Sequence, residues 1–210
     1  MLNQPITPQL IKEVYEPLQQ EVQGLHREWL MFRQVYGTSN GRIDLVTRVA
    51  GSFFAVVQRA LYHHSLLSLF RLTDPVAHGK TKLNLTLERL ADVVQADGAP
   101  IAGAMSSTLA QIRTLLKPHE DVRNKIIAHN DLLTTPTLYD GTSKLTGPSR
   151  QTVEDCLGHI RRLMNTVSKH YEDTTVEYCS DAFPPLGDGE TLIRRLRELA
   201  DQKGWQIDAD

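Results

Sequence analysis

The side chains best placed for chemistry fall in one short stretch, His119-Glu-Asp-Val-Arg123-Asn124-Lys125-Ile-Ile-Ala-His129-Asn130-Asp131. It sets an arginine, an adjacent amide and a histidine within two turns of a helical pattern. Histidine changes charge near physiological pH, so it can act as a general acid or base. Lys125 stands one turn before His129 and disfavours a second positive charge there, which favours the neutral imidazole a general base needs. On an ideal α-helix Arg123 and His129 lie about 120° apart around the axis and about 9 Å apart along it. They make no tight intrahelical pair, and border one cleft only if a second helix or a second subunit faces them. A plainer alternative stays open: Val122, Ile126, His129 and Leu133 share a stripe. On that reading His129 is a satisfied core histidine and Arg123 a surface ion-pair partner.

Other reactive side chains read more quietly. His63 and His64 are adjacent on a helical pattern and point about 100° apart, so they do not chelate one metal as an i, i+4 pair does. A helix-surface or interface role suits them, with a place in a composite cleft as the alternative. Asp74, in Thr73-Asp74-Pro75, suits a turn that ends a helix, and a site-shaping role stays open. Glu120 and Asp121 follow Pro118 and suit the first turn of a helix, where negative charge complements the dipole. Arg194, Arg195 and Arg197 read as a solvated face, with a phosphate or subunit contact as the alternative. No GxxxxGK[ST], GxGxxG, GxSxG or HExxH pattern occurs, so nucleotide hydrolysis, serine-hydrolase chemistry and zinc proteolysis lose their usual support. Cys156 and Cys179 are the only cysteines and form no CxxC, which removes a disulfide framework and a cysteine-rich zinc site. Neither a metal nor a cofactor is expected.

The elements that must position these residues are helical almost throughout. Thr7-Pro8 opens a first helix, whose stripe of Leu10, Val14, Leu18, Val22, Leu25, Trp29 and Phe32 runs to Gly37, with Pro17 a candidate kink. A second helix, about 42–72, carries an apolar surface wider than one flanking helix covers. It is expected to be central or to lie in a subunit interface. Asn84 is the expected cap of a third helix ending near Ala96. A fourth helical region, about 101–133, is divided by Pro118, and residues 134–149 form a long loop. Ser149 opens a fifth helix to about Tyr171. After Phe183-Pro-Pro comes a short amphipathic helix built on Leu192, Ile193, Leu196 and Leu199. With no run alternating at period two, the expected fold is all-α, an antiparallel helical bundle over residues 1–180, with a linker and a short C-terminal helical extension over 181–210.

Bulk properties narrow the classes. The 210 residues suit one domain, and 40% hydrophobic with 23% charged residues suits a globular chain. The 23 basic and 25 acidic residues give a formal charge of −2, which excludes binding nucleic acid by bulk charge and leaves only a local basic site. The longest apolar, uncharged run, between Arg48 and Arg59, falls short of the roughly 20 residues of a membrane span. With no basic region and apolar stretch at Met1-Leu-Asn-Gln-Pro-Ile6, a cytoplasmic protein without membrane contact is expected.

Arg123-Asn124 followed by Ile-Ile-Ala-His129, late in an all-α chain after a long helical hairpin, resembles the HEPN superfamily. Its signature is an arginine, commonly a polar residue next, and a histidine a few residues on. The words Phe70-Arg-Leu-Thr-Asp-Pro75 and Arg123-Asn-Lys-Ile-Ile-Ala-His-Asn-Asp131 resemble the branch named after bacterial abortive-infection proteins. The resemblance covers roughly residues 5–180. It implies a metal-independent endoribonuclease of phage defence or a toxin–antitoxin system, working as a homodimer with the two motifs in one composite site. By that likeness His129 is general base or acid, Arg123 holds the scissile phosphate, and Asn124 orients the phosphate or the histidine. Lys125, Arg113 and Lys117 offer local positive charge for RNA, and dimerisation doubles it. An antitoxin or defence-system partner protein is also implied. Asp131 stands where branches modified by a nucleotidyltransferase carry tyrosine, so AMP transfer is not. A HEPN-fold module that binds RNA, nucleotide or protein without cleaving, and a structural dimerisation domain, remain the alternatives.

Overall fold

The structure, a computed structural model, describes residues 8–78, 82–127, 146–178 and 187–207. Its helices are α1 (Gln9–Tyr36), α2 (Asn40–Thr73), α3 (Leu87–Ala96), α4 (Ala102–Leu116), α5 (Arg150–Glu172) and α6 (Gly189–Gln202). The extended pairing among the described residues is β1 (Ala77–His78) antiparallel to β2 (Lys82–Leu83), with Ala77 opposite Leu83. The all-α expectation holds.

Two compact units divide these residues: those of Met1–Gln23 with Leu66–Tyr178, and those of Gly24–Ser65 with Cys179–Asp210. The divisions fall inside α1 and inside α2 as well as near residue 180, where the sequence pattern alone places a boundary. In the first unit α4 packs along α5 and α3 against α4. Leu18, Leu66, Leu69, Leu87, Leu90, Met105, Ile112, Ile160 and Leu163 are at most 1% exposed. The α5 stripe is buried as its 3.6-residue period requires, and Ser149 caps the helix by accepting from the Thr152 N–H at 3.1 Å.

Local chemistry corrects three expectations. The α1 stripe starts at Ile11, 1% exposed, rather than at Leu10, 51% exposed. α1 runs on through Pro17 rather than being interrupted there, with Glu13 and Pro17 both at exposed positions. α3 is capped by Thr86, which accepts from Arg89 N–H at 3.2 Å, while Asn84 bonds back to the Pro75 and Val76 carbonyls. α2 breaks at Ala50 (φ −161°, ψ 65°), just before Gly51-Ser52, a pair of the kind that kinks helices.

In the second unit α6 is no loose extension. Ile193 and Ala200, each 2% exposed, pack with Val35, Tyr36, Leu45, Val46 and Phe54. Asp188 caps α6 by accepting from Thr191 N–H at 2.9 Å and accepts from Gln34 Nε2 at 2.8 Å, while Gln34 Oε1 accepts from Gly189 N–H at 3.0 Å. Burial raises the Asp188 pKa, but the hydrogen bonds from Thr191, Gln34 and the Glu190 N–H outweigh it and leave the group below its ordinary value. Asp188→Ala removes the cap and strands the buried Gln34 amide, so it is expected to cost about 2 kcal/mol or more in urea unfolding. A loss no larger than that of an exposed-site control such as Glu198→Ala would contradict this account of how α6 is held.

Candidate functional site

Pro118 lacks the N–H an α-helix needs, and from Lys117 onward the chain changes winding three times. It tightens to a 3₁₀ turn over Lys117–His119, makes one α-turn over Glu120–Val122, and widens to a π-turn over Arg123–Ile127. Such π-turns are rare and favour functional sites. From Arg123 through Ile127 the winding therefore departs from the ideal α-helix assumed for the motif. His129, with Asn130 and Asp131, lies outside the described residues, as do residues 134–145 of the expected loop.

Val122 turns into the core, 7% exposed, and Arg123 beside it is held at both ends of its guanidinium. Nη2 donates to both carboxylate oxygens of Asp74, at 3.2 and 3.0 Å, and Nη1 donates to Asn124 Oδ1 at 2.9 Å. The Arg123 and Asp74 side chains remain 29% and 24% exposed. Arg123, Asn124, Arg113 and Lys117 share the wall of an open cleft of about 470 Å³, with Asp74, Glu88 and Glu120 as its acidic members. Three cations therefore face three anions.

Arg113 and Glu88 brace this wall. Arg113 donates from Nε and Nη2 to the Thr73 carbonyl at 3.4 and 3.2 Å, and from Nη1 to Glu88 Oε1 at 3.0 Å. Glu88 Oε2 accepts from Val76 N–H at 3.1 Å. The hydrogen bond from Arg113 lowers the Glu88 pKa; burial opposes that, and the Val76 N–H and the Arg113 charge add to the lowering.

The other candidates lie elsewhere. Lys125 pairs with Asp121 at 3.1 Å and is not on the cleft wall. His119 donates from Nδ1 to the Thr146 carbonyl at 3.0 Å. His64 meets Glu28 at 2.7 Å, and His63 is kept toward its neutral form by burial first and by Arg59 second. Arg195 pairs with Glu198 within α6. Among the described residues no three of His, Cys, Asp and Glu gather as a metal site, and no described helix is long and apolar enough to cross a membrane. Glu88 and Thr73 carried no signal in the sequence as site residues: a glutamate in a helix's first turn reads as a dipole partner, and a backbone carbonyl has no signature at all.

Residues 8–190 match the HEPN AbiU2 family. The chain belongs to this HEPN-type abortive-infection family. The comparisons with curated proteins and with solved structures find no match. For this AbiU2 chain the match takes in every described residue of the cleft, from Phe70 to Asn124.

The lowered Glu88 pKa makes the brace sensitive to acid. Its contribution to stability is complete above Glu88's ordinary value of 4.5 and is lost as pH falls through the lowered folded value. Between about pH 6 and about pH 3 the parent should lose more unfolding free energy than Glu88→Gln, which has no charge there to lose. Parallel pH profiles of the two proteins in urea melts would contradict the Glu88–Arg113 assignment.

Proposed function

We propose that this HEPN chain is a metal-independent endoribonuclease of a bacterial defence or toxin system, with Arg123, Asn124 and His129 as its reacting set. The observation that carries the reading is the state of Arg123. It stands on an open cleft of nucleotide-compatible size, and its Nε–H and one Nη1–H have no partner among the described residues. A delocalised cation with free donors suits the non-bridging oxygens of a phosphodiester and the charge that grows on them. In the proposed reaction His129 takes the proton of a ribose 2′-hydroxyl and the 2′-oxygen attacks phosphorus. The P–O5′ bond breaks, and the leaving oxygen takes a proton from an imidazolium. The products are a 2′,3′-cyclic phosphate and a 5′-hydroxyl end.

Lys117 supplies a further phosphate contact on the wall, and Lys125, off the wall and paired with Asp121, adds positive charge beside the motif. Arg113, with its described bonds spent on Thr73 and Glu88, adds charge while bracing the wall. A homodimer places two such motifs in one site. The exposed Phe53 and Val56 of α2, 63% and 54% accessible, support it as an apolar face for a second copy to cover. An antitoxin or defence-system protein is the further partner proposed. A second reading, a HEPN module that binds RNA, nucleotide or protein without cleaving, draws on the balanced charge of the cleft.

Labelled single-stranded RNA, incubated with the full chain in EDTA, tests both. The expected result is cleavage to cyclic-phosphate ends that His129→Ala lowers by about 10²-fold or more, with RNA binding retained. RNA bound but left intact overturns the nuclease reading in favour of the second.

A further inference from the structure

We infer that Asp74 is the positioning residue that fixes the Arg123 guanidinium in the orientation needed to hold a phosphodiester of RNA. The inference rests on the proposed RNA site and assigns it a residue outside the motif, 49 positions upstream.

A free arginine side chain retains rotamer entropy, which an unanchored Arg123 would have to surrender on binding phosphate. Here two partners hold the plane. Asp74 takes both of its bonds from Nη2, and Asn124 takes one from Nη1. The five-donor guanidinium thus keeps Nε–H and one Nη1–H unpartnered among the described residues. These two donors point to different sides of the guanidinium, so a phosphate takes one of them at a time and leaves the carboxylate on Nη2, which separates a positioning contact from a blocking one.

Asp74 can do this because it is itself held. Its N–H donates to the Arg71 carbonyl at 3.3 Å, and proline follows it. The carbonyls of Pro75 and Val76 accept from the Asn84 side chain at 2.9 Å and the Asn84 N–H at 2.7 Å. Thr73 on the other side is gripped by Arg113, and the Val76 N–H by Glu88. The carboxylate that meets Arg123 therefore projects from a turn tied at four successive residues.

The test is a double-mutant cycle of Asp74→Asn and Arg123→Ala in the full chain. It is read as kcat and KM on single-stranded RNA, as binding of the same oligonucleotide made uncleavable by 2′-O-methylation, and as melting temperature. Asp74→Asn is expected to lower kcat/KM or RNA affinity by about tenfold beside Arg123, and to change neither beyond about twofold where Arg123 is already alanine. Asp74→Glu, which keeps the charge one methylene further out, should recover part of the loss, and Asp74→Ser replaces Asp74→Asn should that variant melt early. Asp74→Asn that is as active as the parent, or more active, overturns the inference, the latter because the carboxylate then competes with phosphate. An equal loss in both backgrounds also overturns it, since that is a general structural effect. A parent that binds RNA without cutting it removes the nuclease reading while the binding arm still decides this one. A parent that binds no RNA removes both.

Discussion

A helix that stops must hand its last carbonyls to some donor, and at the end of α2 that donor is Arg113. Thr73 returns its own hydroxyl to the Phe70 carbonyl at 2.9 Å, leaving its backbone oxygen for the Arg113 fork. A cation there also complements the negative end of the α2 dipole. Because Glu88 holds Arg113 from the far side and Val76 from the near side, the Thr73–Val76 turn is fixed between α3 and α4. Asp74 sits inside that fixed turn, so the orientation of Arg123 depends on a helix end some fifty residues earlier in the chain.

These contacts set geometry more than stability. With side chains from 24% to 40% exposed, the Asp74–Arg123 and Glu88–Arg113 pairs are each worth about 1 kcal/mol or less against water and salt. The same pairing cancels most of the local positive charge. A chain of net charge −2 has no long-range pull on nucleic acid, and a cleft with three cations against three anions adds little. Recognition at such a site falls to short-range hydrogen bonding with donors held in place, for which a pre-oriented guanidinium is the suitable device.

What the sequence made legible follows from the range of each interaction. The buried faces of α1 and α5, the Ser149 cap, the break at Pro118 and the helical class all depend on residues within a few positions of one another, and periodicity registers them. So does Arg123-Asn124, whose hydrogen bond joins neighbours. Asp74 with Arg123 and Glu88 with Arg113 are separated by 49 and 25 positions, and no local pattern distinguishes such partners from any exposed charge. The seat of α6 was hidden for the same reason, since Gln34 meets Asp188 across 154 positions. The π-turn at the motif was hidden for another: Arg-Asn-Lys-Ile-Ile reads as ordinary α-helix, and only the chain around it decides the winding.

The breadth of the apolar surface on α2 has a physical resolution in the two units. Leu45, Val46 and Phe54 bury in the unit that holds α6, whereas Leu66, Leu69, Phe70 and Leu72 bury in the unit that holds the cleft. One helix therefore contributes to two cores, and its kink at Ala50 falls within the part that serves the first of them, between Val46 and Phe54. Phe53 and Val56 enter neither core, which is why the helix looked too apolar for a single flanking partner. The division also separates two demands on α2. Its C-terminal end must be rigid, because Thr73 and Asp74 place the arginines of the cleft. Its middle carries no such constraint and is left with an apolar face to present outward.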